Sequence, residues 1–349
     1  DAYNVAIGYN AGQAVTTGLY NTIVGGEALS TNLDGDNNTA IGYQALKTME
    51  ADSDGGGGNT AIGARSQREA TTGEFNTSLG YNSMGVGILV GNGNVAIGNN
   101  AGRATTSGAT NVFIGLDCAI ANTTGSGSVG IGYEALSVED DHGGSTAIGY
   151  QSLKNQNSGA ANFNVAVGYQ AGLAVTTGTL NTIVGGEAGD ALTTGAANTL
   201  TGYKAGSAIT SGSANTAFGY ESLMTENAHG NNTAIGYRAL RVQDAGADAY
   251  NVAVGFDAGT SVTTGIHNTL IGAFAGDNLA GGGNNVAIGN YALSTEDTHG
   301  RNVAVGYGAL TTQDAGADAY SVAVGYLAGT NITTGINNVL IGGLAGDNL

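Results

Sequence analysis

The chain holds 349 residues; 63 are glycine, none is proline or tryptophan, and nine lysines and arginines stand against 27 aspartates and glutamates. Soluble domains average about 7% glycine and roughly 25% charged residues, whereas only 10% of this chain is charged. The absence of proline excludes collagen, and an apolar fraction of 41% excludes a disordered chain.

A formal net charge of −18 argues against nucleic acid, whose phosphates must be neutralised by Lys and Arg, and against anionic membrane surfaces. No apolar run approaches the roughly 20 residues that span a bilayer, so membrane insertion is not expected. Cys118 is the single cysteine; it cannot form an intrachain disulfide and says little about redox compartment. The opening at Asp1, without Met or a signal peptide, reads as a processed product or a piece of something longer.

What remains is a repeat array. The segment Asn-(Thr/Val)-x-(Ile/Val)-Gly recurs along the chain with anchor glycines at Gly8, Gly25, Gly42, Gly63, Gly80, Gly98, Gly115, Gly132, Gly149 and Gly168. It continues at Gly185, Gly202, Gly219, Gly236, Gly255, Gly272, Gly289, Gly306, Gly325 and Gly342. Of the 19 intervals, 14 are 17 residues, three are 19, one is 18 and one is 21.

Each column predicts a position in a coil. The residue before the anchor is Ile, Val, Leu or Phe in every repeat but one, Thr201, which suits the buried face of a strand. Three residues after the anchor stands Ala, Ser or Cys in all 20 repeats, so that position lies in a tight interior. Four before it stands Asn, replaced by Ser128, Ser145 and Ser321; such residues bond to nearby backbone in turns, and stacked Asn amides form ladders. A second corner follows about ten residues after the anchor, often as Thr-Thr-Gly (Thr16 to Gly18, Thr263 to Gly265).

Two short extended legs and two corners per repeat predict an all-β fold. It is a parallel β-solenoid, or β-roll, of about 20 coils with 17 residues per coil. At a strand spacing of about 4.8 Å the coils would make a rod on the order of 95 Å long. A longer period of 70 residues separates Gly98 from Gly168, Gly185 from Gly255 and Gly255 from Gly325. It is closed by 19-residue coils whose two-residue inserts, as in Gln243 to Tyr250 and Gln313 to Tyr320, should bulge at a corner as an acidic ridge. No linker interrupts residues 1–349, which are expected to form a single continuous array.

Asn4-Val5-Ala6-Ile7-Gly8, Asn94 to Gly98 and Asn302 to Gly306, with Ala11, Ala101 and Ala309 three residues further on, resemble the head repeats of YadA-like trimeric autotransporter adhesins and related phage tail-fibre repeats. The resemblance spans nearly the whole chain in a 17-residue variant; the adhesin heads typically repeat every 14. It implies a left-handed parallel β-roll, commonly trimeric, that acts in surface attachment. Ile41 to Leu46 also resembles the hexapeptide of left-handed β-helix acyltransferases, but those need three hexads per coil and a catalytic His, and here the hexad occurs once.

His142, His229 and His299 each fall ten residues after an anchor. They lie five and four coils apart, roughly 20 Å or more, too far to share a metal, so they are expected to be corner residues, as is His267. The acidic corners Asp34 to Asn37 and Asp52 to Gly55 match neither an EF-hand nor the calcium nonapeptide repeat and read as solvated turns. Cys118 stands in the small interior column as a packed thiol.

Tyr follows the anchor in 11 coils, among them Tyr43, Tyr150 and Tyr237. This column would pack against neighbouring subunits, or stack on sugars. Sequons begin at Asn37, Asn122, Asn231 and Asn331, as expected by chance in an Asn- and Thr-rich chain. The Thr-Thr-Gly recurrence is too irregular for an ice-binding rank. No catalytic, cofactor or metal site is expected. The opening Asp1 to Asn4 repeats Asp248 to Asn251, and Ala345 to Leu349 repeats Ala275 to Leu279, so the coils break off uncapped, and open strand edges recruit other chains.

The expectation is a non-enzymatic structural protein, an extracellular, cell-surface or virion fibre that self-associates into a filament or homotrimer. The alternative is an adhesin or tail-fibre head that binds a cell-surface glycan or receptor.

Overall fold

In the computed structural model, which describes residues 3–50 and 56–348, each repeat contributes one three-residue strand that ends just before its anchor glycine. Two compact units divide the chain, residues 1–179 and 180–349. The first carries ten strands, β1 (Val5–Ile7) to β10 (Val165–Val167), and the second another ten, β11 (Thr182–Val184) to β20 (Val339–Ile341). Within each unit consecutive strands pair in parallel and in register. Thr39 lies between Thr22 and Thr60, for example, and Val252 between Thr233 and Thr269. No helix occurs among the described residues. Each unit is a parallel β-solenoid with one repeat per coil.

The anchor glycines stack along the axis of each unit because no other residue fits there. Gly42, Gly132 and Gly219 have φ of +136°, +135° and +142°. A Cβ on them would stand 2.5, 2.2 and 2.2 Å from the carbonyl oxygen of Gly63, Gly149 and Gly236, the anchors of the next coils. Both the backbone angle and the close approach exclude a side chain.

The strand faces the core through its middle residue, which corrects one expectation. Ala40, Ala96, Ile183, Leu200 and Leu270, two before their anchors, are buried, whereas Ile7, Leu79, Phe218 and Ile235, one before, are exposed. Side chains alternate across a strand, so the β-branched column lies on the outer face. The interior is completed by the small column, where Ala28, Ala45, Ser66 and Cys118 are fully buried.

Interior volume is balanced between neighbouring coils. The position four after the anchor holds buried leucines such as Leu46, Leu136 and Leu240 where the strand beside it offers Ala40, Gly130 or Ala234. It becomes glycine where a large residue reaches over it. A Cβ on Gly12 would meet Ile23 Cδ1 at 2.7 Å, one on Gly102 would meet Phe113 at 2.9 Å, and one on Gly259 would meet Leu270 at 2.7 Å.

The asparagine column braces one coil to the next. Asn198 Oδ1 accepts from the Asn215 amide at 2.9 Å, and Asn215 Oδ1 from the Asn232 amide at 3.1 Å. Many of these Asn also close their own coil, Nδ2 donating to the second corner: Asn111 to Gly125 O at 2.7 Å, Asn268 to Gly282 O at 2.9 Å; the buried Nδ2 of Asn38, Asn285, Asn302 and Asn338 makes no such bond. An unpaired buried amide costs about 1–3 kcal/mol, which explains why the column is almost always Asn.

The second extended leg is not a regular strand. After the anchor the chain alternates into left-handed residues, as at Glu27 and Leu29 with φ of +55° and +44°. Successive amides then point in opposite directions along the axis. The Glu27 amide donates back to Tyr9 O at 2.8 Å, and the Leu29 amide forward to Ala45 O at 2.9 Å. Corner threonines add a rung, Thr106 and Thr193 hydroxyls donating to the Thr123 and Thr210 carbonyls of the next coil at 3.0 and 2.9 Å.

The two-residue inserts do bulge outward. Gly159, Gly246 and Gly316 sit at φ of +66° to +69° with open space around them, and Asp244 and Asp248 are exposed. The first insert, Gln156 to Phe163, carries no acid, so an acidic ridge is present only at the inserts of the second unit.

Two glycine substitutions separate close approach from backbone angle. Gly202→Ala, with φ +131° and the Gly219 oxygen 2.3 Å from the new Cβ, should lose more than about 4 kcal/mol. Gly246→Ala, with nothing within 4 Å, should lose only about 1–2 kcal/mol. Urea unfolding of both variants checks the difference; equal losses would contradict a contact-based role for the anchors.

Candidate functional site

The tyrosines after the anchors form aromatic columns on the surface of each unit. In the first, Tyr133, Tyr150 and Tyr169 stack at centroid distances of 5.1 and 5.2 Å. In the second, a run from Tyr203 through Tyr220, Tyr237, Phe256, Phe274, Tyr291 and Tyr307 to Tyr326 keeps distances of 5.0–6.1 Å. The spacing follows from the stack itself, since side chains one coil apart are about 4.8 Å apart. Arg238 lies over the Tyr237 ring at 5.2 Å and pairs with Asp257 at 2.8 Å. These rings are about half exposed, and so is the column just before the anchors: Phe218 is 56% and Ile235 37% exposed.

Histidine corners turn out to be more than turns. His229 and His299 are indeed four coils apart and share no site. Each, however, meets a buried acid three residues upstream. Glu139, Glu226 and Glu296 are almost completely buried, and their Oε1 atoms accept the His142, His229 and His299 backbone amides at 3.2, 3.3 and 3.3 Å. The potential ligand atoms of Glu139, Asp141 and His142 lie within 4.8 Å of one another, as do those of Glu226, His229 and Asp244 and those of Glu296, Asp297 and His299. Burial pushes all three glutamates above the usual carboxylate range, Glu296 to about 7. Comparing histidines only with each other hid this pattern. The signal that reveals it is Glu-x-x-His-Gly, which occurs in each case one coil before a 19-residue coil.

His267 is not alone in its turn, for its ring stacks on Tyr250 at 5.7 Å. Asp36 serves the backbone, accepting the Leu19 amide at 2.6 Å, while Asp52 and Asp54 lie outside the described residues. Among the sequons, Asn122 is buried at 1% exposure, so the folded chain offers no access there, whereas Asn37 and Asn331 are exposed. A surface groove of about 430 Å³ runs beside Lys47, Arg68 and Ile88, but its two cations are already paired with Glu27 and Glu69.

Cys118 is fully buried in the small column, and burial pushes its thiol up to about 12. Only the thiolate is a good nucleophile, so a disulfide-exchange reagent at pH 8 should leave the native chain unlabelled and label it within minutes in 6 M guanidinium. Rapid native labelling would contradict the packed position.

Asp277 gives a pH dependence. Its Oδ1 is buried without a hydrogen-bond partner, and desolvation, with the Asp257 charge adding to it, raises its carboxyl to about 6. The folded state therefore binds a proton that the unfolded chain releases, and stability increases as pH falls from about 7 toward about 4. Asp277→Asn should flatten that slope and raise the urea midpoint at pH 8; an unchanged midpoint would show that the carboxyl is not held in this environment.

Neither a family model nor a curated protein matches this sequence.

Proposed function

We propose that the chain is a structural protein, not an enzyme, and that its work is to form a stiff fibre at a cell surface, outside the cell or on a virion. The observation that carries the reading is the outer face of each unit. Partly exposed apolar residues before the anchors, such as Phe218, Ile235, Ile271 and Ile288, and half-exposed aromatics after many of them, such as Tyr150, Tyr169, Tyr220 and Tyr237, recur along each unit, so the apolar surface grows along the axis. Contiguous exposed apolar patches of more than a few hundred Å² mark interaction sites, and a surface that repeats with the coils is best matched by another copy bearing the same repeat. Self-association into a homotrimer or filament is the form of assembly proposed.

Support for rigidity comes from the backbone. Amides on both sides of the coil pair with the coils above and below, and the Asn brace pairs the corners. Bending such a stack would stretch several hydrogen bonds at once.

A second reading, attachment to a cell-surface glycan or receptor, is favoured by the exposed stacked rings, since flat aromatic faces accept sugar rings. The two readings separate in one set of measurements. Sedimentation and negative-stain electron microscopy at micromolar concentration should show elongated oligomers. Phe218→Asp with Ile235→Asp, which places charges on the outer column, should weaken assembly at least tenfold with an unchanged circular dichroism spectrum. A monodisperse monomer would overturn the fibre reading. Glycan binding lost in Tyr43→Ala and Tyr150→Ala without loss of assembly would favour attachment.

A further inference from the structure

The column seven residues after the anchor is part of the core: Val175, Leu192, Ile209, Val262 and Leu279 there are fully buried. Glu139, Glu226 and Glu296 occupy the same column. The coils just before Glu226 and Glu296 manage with Ile209 and Leu279 at this position, and other coils with neutral polar residues such as Asn122 and Gln156; burying a carboxylate is costly, so the acids are not explained by packing.

What lies above each acid differs. Over Glu139 the insert coil turns Gln156 and Asn162 inward, and their amides donate to Oε2 at 3.0 and 2.6 Å. That corner is closed by the protein itself. The counterparts of Gln156 in the second unit face away: Gln243 donates to Thr263 O and Gln313 to Thr333 O, each at 3.1 Å. Glu226 faces His229 and Asp244, with only a long 3.5 Å bond from Asn232 Nδ2 on its Oε2 and backbone amides of Asn227 and His229 on its Oε1, and Glu296 faces His299 and Asp297.

In both corners the His–Glu geometry stops short of a hydrogen bond. His229 Nδ1 stands 3.6 Å from Glu226 Oε1, and His299 Nδ1 3.9 Å from Glu296 Oε1. A direct hydrogen bond closes to about 2.7–3.2 Å, whereas a nitrogen and an oxygen bound to one zinc at about 2.0–2.2 Å and a near-tetrahedral angle sit about 3.3–3.5 Å apart. Buried polar atoms are also left over. Glu296, fully buried, has Oε2 without a hydrogen-bond partner, and His229 Nδ1 has none. The Thr298 hydroxyl, 3.1 Å from His299 Nδ1, lies 2.9 Å from Asp297 Oδ1 and can donate there, which leaves the imidazole lone pair free.

We propose that the Glu226–His229–Asp244 and Glu296–Asp297–His299 corners each bind one divalent first-row transition cation. One imidazole and two carboxylates suit zinc or its neighbours; calcium, which takes six to eight oxygens, does not match a nitrogen donor at the centre of the site. The cation supplies the positive charge that each buried glutamate lacks. At Glu226 it also ties the corner to Asp244 in the coil above, so metal binding there stiffens the stack beneath the acidic insert.

Isothermal titration of the EDTA-stripped full chain with Zn²⁺ tests the assignment. About two equivalents should bind at micromolar affinity or better, undisturbed by millimolar Ca²⁺. His299→Ala and Glu296→Gln should each remove one equivalent, with the fold retained by circular dichroism; Glu296→Gln keeps the shape of the side chain. His142→Ala and His267→Ala should remove none. Absence of Zn²⁺ binding, binding unaffected by both Glu296→Gln and His299→Ala, or displacement by Ca²⁺ would overturn the proposal.

Discussion

The structure depends on how closely one coil can approach the next at the anchor glycine. A Cβ is excluded there by contacts of 2.2–2.5 Å to the following anchor's carbonyl at Gly42, Gly132 and Gly219, an approach that recurs from coil to coil. The strand before it and the left-handed turn after it are then held in register, because both are attached to the same contact. A column of glycine is entropically expensive in the unfolded state. The cost is offset by hydrogen bonds that run coil to coil on both sides of the ring and by a buried apolar interior.

Inside that frame the core tolerates variation by exchange between coils. Gly12 lies against Ile23 and Gly102 against Phe113, while Leu46 and Leu240 fill space beside alanines. Large-to-small changes in a packed core leave cavities and small-to-large changes create strain, so such positions vary together. The anchor, the small column and the Asn brace do not vary in this way. Each is fixed by backbone approach or by a hydrogen bond, and no neighbouring side chain can compensate for its loss.

Polar groups in the core follow two rules. Where they recur in most coils, as Asn does in 17 of 20, they satisfy backbone amides and carbonyls and are structural. Glu139, Glu226 and Glu296 appear in only three coils, in a column otherwise aliphatic or neutral polar, and gather a histidine and further acids. One corner satisfies its acid with Gln156 and Asn162. In the other two the corresponding glutamine bonds the coil above instead, and at Glu296 Oε2 is left without a partner.

The 17-residue period, the glycine anchors, the small column, the Asn brace and the solenoid class are all determined by the sequence, because the anchor and the small column recur in all 20 repeats and the Asn in 17. Which face of the strand points inward was not legible. The residue before the anchor is the more hydrophobic column, yet alternation from the buried middle residue places Ile235 and Phe218 outside. Nor did spacing reveal that the second side of the coil is built from alternating left-handed residues, since Glu27, Leu29 and Gln44 are not residue types that announce a positive φ. Periodicity also set the histidines apart correctly but could not pair each with its glutamate. That depended on the tertiary structure, in which a core column, a corner and the insert coil above it meet at one point.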